Sequence, residues 1–156
     1  MSGRIPILIL GLVIATASCN NPRNKQSDNN ITTTTTMCNK ITPEELAAIR
    51  IPLDLYVQAA IDGDSKTARP AFADGATISH AENDTLICLP IRTLFDYYDE
   101  TGRQPASYEI SDVSIANDVA MVRIESTFGN ARFCDMFTLV KAGGEWKIIS
   151  KIFSVK

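Results

Sequence analysis

Histidine is almost absent from this chain: His80 is the only one in 156 residues. The four cysteines, Cys19, Cys38, Cys88 and Cys134, stand far apart, with none of the paired spacing of a zinc site. Neither residue type supports a metal centre, and nothing else implies a cofactor. Basic residues number fifteen against eighteen acidic ones, a net charge of -3, and they form no stripe that would suit nucleic acid. No apolar run is long enough to cross a bilayer as a helix. The longest is Ile5 to Ala17, IPILILGLVIATA, behind the positive flank of Arg4.

What that run does suit is the core of an export signal. Two cleavage sites are open. Ala15-Thr16-Ala17 is an A-x-A site for a soluble periplasmic or secreted product. Thr16-Ala17-Ser18-Cys19 resembles the bacterial lipobox, with Thr16 where Leu, Val or Ile is usual, and it predicts a mature chain that starts at a diacylated Cys19. The second reading divides the chain into a lipoprotein signal over 1–18, a tether over 19–41 and a domain over 42–156. It expects the protein in the bacterial cell envelope, held to a membrane by a lipid. The segment after Cys19 reads NNPRNKQSDNN and then five threonines, Thr32 to Thr36. It has too few apolar residues to offset the entropy of ordering, as a flexible spacer should. An oxidising exported compartment permits a Cys88–Cys134 bridge, which spacing alone does not establish.

The domain begins with a helix signal. Thr42 caps, Pro43 fits the first turn and Glu45 completes a capping box. Pro52 predicts a break, with a second helix burying Leu53, Tyr56, Val57, Ala60 and Ile61 and ending at Gly63. A short third helix starts near Asp64 or Ser65, and Asp74-Gly75 is a turn. The period then changes to two: Ala76 to Ala81 and Thr85 to Leu89 form a hairpin, and Pro90 opens a helix with Ile91, Leu94, Phe95 and Tyr98 on one face. Four strands close the chain as a meander. Alternation slips between Ile110 and Val113, which predicts a bulge in the first. The others span Val119 to Thr127, Arg132 to Lys141 and Trp146 to Phe153. In the last, strict alternation puts Lys147 and Lys151 on a wet face. Helices, hairpin, helix and meander in this order predict an α+β domain, a curved antiparallel sheet wrapped on helices.

Three tracts then carry a resemblance. YVQAAIDGDSKTARPAFADGATISHA, Tyr56 to Ala81, resembles the front half of the nuclear transport factor 2-like superfamily. The closing D-x-F-T-L-x-K-x-x-G-E-W-K-I from Asp135, together with PIRTLFDYYDE after the hairpin, is similar to its putative lumazine-binding family. The resemblance covers Thr42 to Lys156 and implies a cone-shaped fold that hosts enzymes, binding modules and assembly domains alike. It also implies a homodimer through the outer sheet face, for which Val122, Ile124 and Met136 are the expected contributors.

Ketosteroid isomerase, an enzyme of this superfamily, implies a site. Laid on the chain, its oxyanion-hole tyrosine falls on Tyr56, its protonated aspartic acid on Asp135 and its general base on His80, where histidine replaces a carboxylate. From the residues themselves, Asp135 alternates with Phe133 and Phe137, so a buried carboxylate must find a donor, stay protonated or meet water; Arg123 and Arg132 are candidate partners. Tyr56 and His80 have ordinary readings as core residues. Phe72, Phe95, Phe133, Phe137 and Trp146 either line a ligand cavity or pack the core. Three functions follow: a module binding a small apolar or aromatic ligand, an isomerase-like enzyme with His80 as base, or a filled cone that serves as an interaction module.

Overall fold

The computed structural model describes residues 41–156. The signal, the tether, Cys19 and Cys38 lie outside the described residues. Helix α1 runs from Pro43 to Asp62 without the break expected at Pro52. Its start is the predicted capping box: the Glu45 amide donates to Thr42 Oγ1 at 3.1 Å and the Thr42 amide to Glu45 Oε2 at 2.8 Å. Proline removes one helical hydrogen bond, at a cost of roughly 3 kcal/mol. Here one buried face, Ile49, Pro52, Leu53, Tyr56, Val57 and Ala60, continues on both sides of it. Burying that face against the sheet offsets the loss. Gly63 ends the helix at φ +63, where a Cβ would lie 2.4 Å from the backbone nitrogen of Arg103, so glycine is needed both for the turn and for the close crossing.

After α2 (Ser65–Ala68) and a 3-10 turn over Arg69–Ala71, strand β1 spans Phe72–Glu82. It starts four residues earlier than predicted. Asp74-Gly75 does not reverse the chain but lies in a pairing irregularity between Phe72 and Thr77. β2 (Thr85–Pro90) returns antiparallel, and α3 (Arg92–Thr101) buries Leu94, Phe95 and Tyr98 as its periodicity required. The meander is β3 (Ala106–Ala116), β4 (Val119–Phe128), β5 (Ala131–Ala142) and β6 (Glu145–Val155). The bulge expected between Ile110 and Val113 is present, as a register shift between Ile110 and Asp112. The sheet order is β2-β1-β6-β5-β4-β3, with β1 parallel to β6 and every other pair antiparallel.

A second bulge was not foreseen. Leu139 pairs with Ile148 and Thr138 with Ser150, so Ile149 is an extra residue in β6. One extra residue reverses every later side chain. Trp146 and Ile148 face the helices before it, and Lys151 faces them after it, 3% exposed. The expectation that Lys151 shares a wet face with Lys147 is therefore wrong. Parity also corrects the outer face. Val122 and Ile124 are buried in the core, and of the three residues expected outside only Met136, 45% exposed, is there. Cys88 is exposed, Cys134 is half-buried, and both thiols are free.

Candidate functional site

The inner face of the meander holds a polar cluster inside an apolar wall. Asp135 on β5 is fully buried. Its Oδ1 lies 2.7 Å from Lys151 Nζ on β6. Its Oδ2 accepts from Ser126 Oγ on β4 at 2.5 Å and, more loosely, from the Tyr56 hydroxyl on α1 at 3.5 Å. Register explains the convergence. Asp135 pairs with Phe153 and Ile124, which makes Lys151 and Ser126 its diagonal neighbours on the same face. Tyr56 reaches down from the helical layer, and its backbone carbonyl accepts from the Tyr98 hydroxyl at 2.9 Å, tying α3 to α1.

Aromatic rings complete the surroundings. Phe128 and Phe137 stand edge-on to the Tyr56 ring at 5.3 and 5.2 Å. Lys151 Nζ lies 4.1 Å from the Phe153 centroid and 5.7 Å from that of Tyr56, so ring faces contribute to holding its charge. Burial lowers the Lys151 pKa from its ordinary value, and the Asp135 carboxylate opposes that shift without cancelling it. Burial also raises Tyr56 and Tyr98 well above ordinary phenols, aided by the Asp135 charge, so both stay neutral donors.

Tyr56 and Lys151 form part of the wall of a cavity of about 80 Å³, whose remaining wall is Leu94, Tyr97, Tyr98, Phe128 and Phe133. That is small beside the roughly 300–1,000 Å³ of pockets for drug-sized ligands. Larger concavities lie elsewhere among the described residues, and Lys151 and Asp135 line none of those of about 230, 270 and 680 Å³. Phe72 and Phe95 line one of about 270 Å³ with Arg69 and Arg92, and Trp146 lines one of about 230 Å³ with Pro52 and Pro70. Among the predicted aromatics, Phe133 is the one on the wall of the polar cavity, whereas Phe137 is packed in the core.

The structure thus brings Tyr56 and Asp135 together. His80 faces the same side of the sheet but stacks on Phe153 with centroids 4.6 Å apart. It has no hydrogen bond to Tyr56 or Asp135 and lines a separate concavity of about 680 Å³ with Leu86, Cys88 and Val155. Neither candidate arginine meets Asp135: Arg123 points outward and pairs with Glu125 at 3.0 Å. Lys151 and Ser126 were missed as site residues. The adjacent apolar pair Ile148-Ile149 was the available signal, because it breaks strand alternation as Ile110 to Val113 does.

These features define a nuclear transport factor 2-like protein, three helices packed on an open, curved, mixed six-stranded sheet. The chain matches the putative lumazine-binding family over residues 44–154 and belongs to it. A solved nuclear transport factor 2-like protein of unknown function from Shewanella baltica OS155 is 34% identical, with TM-score 0.69, covering 76% of this chain and 98% of that one. Another, from Methylobacillus flagellatus KT, is 30% identical with TM-score 0.68, covering 75% and 96%. Among curated proteins, the aldolase FrzH of Cladobotryum sp is 26% identical over 121 residues, 75% of this chain and 96% of that protein.

Proposed function

We propose that the domain binds a small apolar or aromatic ligand carrying a polar oxygen. The observation behind this reading is the placement of Lys151 and Tyr56, tied to buried Asp135, on the wall of an otherwise apolar cavity. The apolar wall supplies affinity and the few polar groups orient the ligand. The test is mass spectrometry of material that co-purifies with native protein, followed by calorimetric titration of the compound found. Asp135→Asn keeps the shape of the side chain, so a folded variant with modestly altered affinity is expected. Unchanged affinity would move the ligand to another concavity.

A second reading, an enzyme acting on such a ligand, draws support from the aldolase among the relatives. Under it His80 acts as general base, and His80→Ala should abolish turnover while binding persists. His80 would then work from the far side of Phe153. Ligand binding alone places no such demand on the geometry, and for that reason we rank it first.

Two further proposals concern where and how the domain is held. Export with acylation at Cys19 is supported by the apolar run that ends in Ala17-Ser18-Cys19. Cys19→Ala should move the protein from the membrane fraction to the soluble one, and an intact mass beginning at Ser18 would overturn the idea. Homodimerisation through the outer sheet face is supported by the exposed apolar residues Met121, Met136 and Ile152, with Arg123 paired beside Met136 in the ladder. Sedimentation at tens of micromolar, roughly the scale of a modest interface, should show a dimer that Ile152→Asp dissociates.

A further inference from the structure

We propose that the Lys151 amine forms a covalent imine with a small aromatic or apolar aldehyde or ketone entering the cavity beside Tyr97 and Phe133. The inference rests on the small-ligand reading above and extends it by naming the ligand's reactive group and the bond it makes.

Three observations converge on Lys151. It is 3% exposed, yet its side chain forms part of the cavity wall, so it is screened from bulk water and borders the space that a bound molecule would fill. Its partner Asp135 sits at 2.7 Å and can take the ammonium proton in a site where burial disfavours the charged form. Asp135 is itself positioned by Ser126 and Tyr56, which bind its other oxygen and leave Oδ1 to the lysine. A lysine that serves only to neutralise a buried carboxylate needs no opening. A desolvated amine beside a proton acceptor is the arrangement that nucleophilic lysines require.

The step balances. The ammonium gives a proton to Asp135, and the freed electron pair forms a C–N bond to the carbonyl carbon. The carbonyl π pair moves to oxygen, which takes that proton back and becomes a hydroxyl. The carbinolamine nitrogen, still carrying two protons, gives one to Asp135, which passes it to the departing hydroxyl, so ammonium and carbonyl yield a protonated imine beside the Asp135 carboxylate and one water. No oxidant or reductant takes part. The Tyr56 hydroxyl, held neutral by burial and bound only loosely to Asp135 at 3.5 Å, can turn to donate to the oxygen as it gains charge.

The experiment uses full-length protein, benzaldehyde as probe and borohydride to reduce any imine to a stable benzyl amine, located by peptide mass mapping. The expected result is saturable label on Lys151 ahead of the exposed Lys66 and Lys141, with loss of that label in Lys151→Met. If Lys151→Met fails to fold, protection replaces it: benzyl alcohol, which has no carbonyl, should block labelling of Lys151 in the native protein and leave the surface lysines reactive. Label confined to surface lysines overturns the proposal. Thermal stabilisation by benzyl alcohol alongside an unlabelled Lys151 sinks the imine and keeps the ligand reading. Neither stabilisation nor label by either compound defeats both.

Discussion

Asp135→Ala should cost about 3–5 kcal/mol, because removing one partner of a buried ion pair strands the other. Lys151 is at 3% exposure with no second carboxylate within salt-bridge distance among the described residues, and Ser126 Oγ loses its acceptor in the same variant. The paired replacement Asp135→Leu with Lys151→Met should recover most of the loss, since apolar side chains of similar volume need no compensation. A urea-unfolding cycle over Asp135→Leu, Lys151→Met and the double variant measures the coupling. The pH dependence has a definite sign. The folded pKa of Lys151 is lowered while the unfolded lysine titrates near 10.5. Without Asp135, which pulls it upward, the folded value falls further. Between that value and 10.5 the unfolded chain binds more protons than the folded one, so stability rises with pH. The deficit of Asp135→Ala against wild type should therefore narrow as the solution is made alkaline. A cost below about 1 kcal/mol, as for an exposed pair, would mean that water reaches the pair freely.

The outline of the fold was readable because its signals are local. The Thr42 cap with Glu45, the change of period near Ala76, the single apolar face of α3 and the slip after Ile110 each depend on residues a few positions apart. Two of the misreadings share a cause of another kind. Pro52 breaks an isolated helix, but here a buried face continuing on both sides of it overrides the local cost. The bulge at Ile149 shows only in the pairing with β5, and one residue of register decides whether Lys151 is a solvated lysine or the partner of Asp135. The site was half legible in consequence. Asp135 was conspicuous because a carboxylate between two phenylalanines demands a partner, but the partner comes from the strand whose parity the sequence misstates. Parity also explains the outer face: Val122 and Ile124 alternate with Met121 and Arg123, and apolar character alone did not tell which set faces the helices.

Phe137→Ala should cost about 3–5 kcal/mol, the range for emptying a ring from a packed core. Phe137 is 1% exposed, stands edge-on to Tyr56 at 5.2 Å, and pairs across the sheet with Val122 and Lys151. The void it leaves is walled by buried apolar groups with the Lys151–Asp135 pair at one end. Such a void relaxes only in part, and an apolar one stays dry and accepts a small aromatic guest. Benzene should therefore raise the melting temperature of Phe137→Ala more than that of wild type, by the mass-action rule for a ligand that binds only the folded state. Differential scanning calorimetry with and without benzene makes the comparison. The result separates two roles for this residue. If Phe137 is core packing, the variant is strongly destabilised and rescued by benzene. If it instead lines a site that already holds ligand or water, truncation costs about 1 kcal/mol, the ordinary size of a point-mutation effect, and benzene stabilises wild type and variant alike. The first outcome would leave Phe133, Tyr97 and the Lys151 amine to define the ligand's surroundings, with Phe137 holding Tyr56 in position behind them.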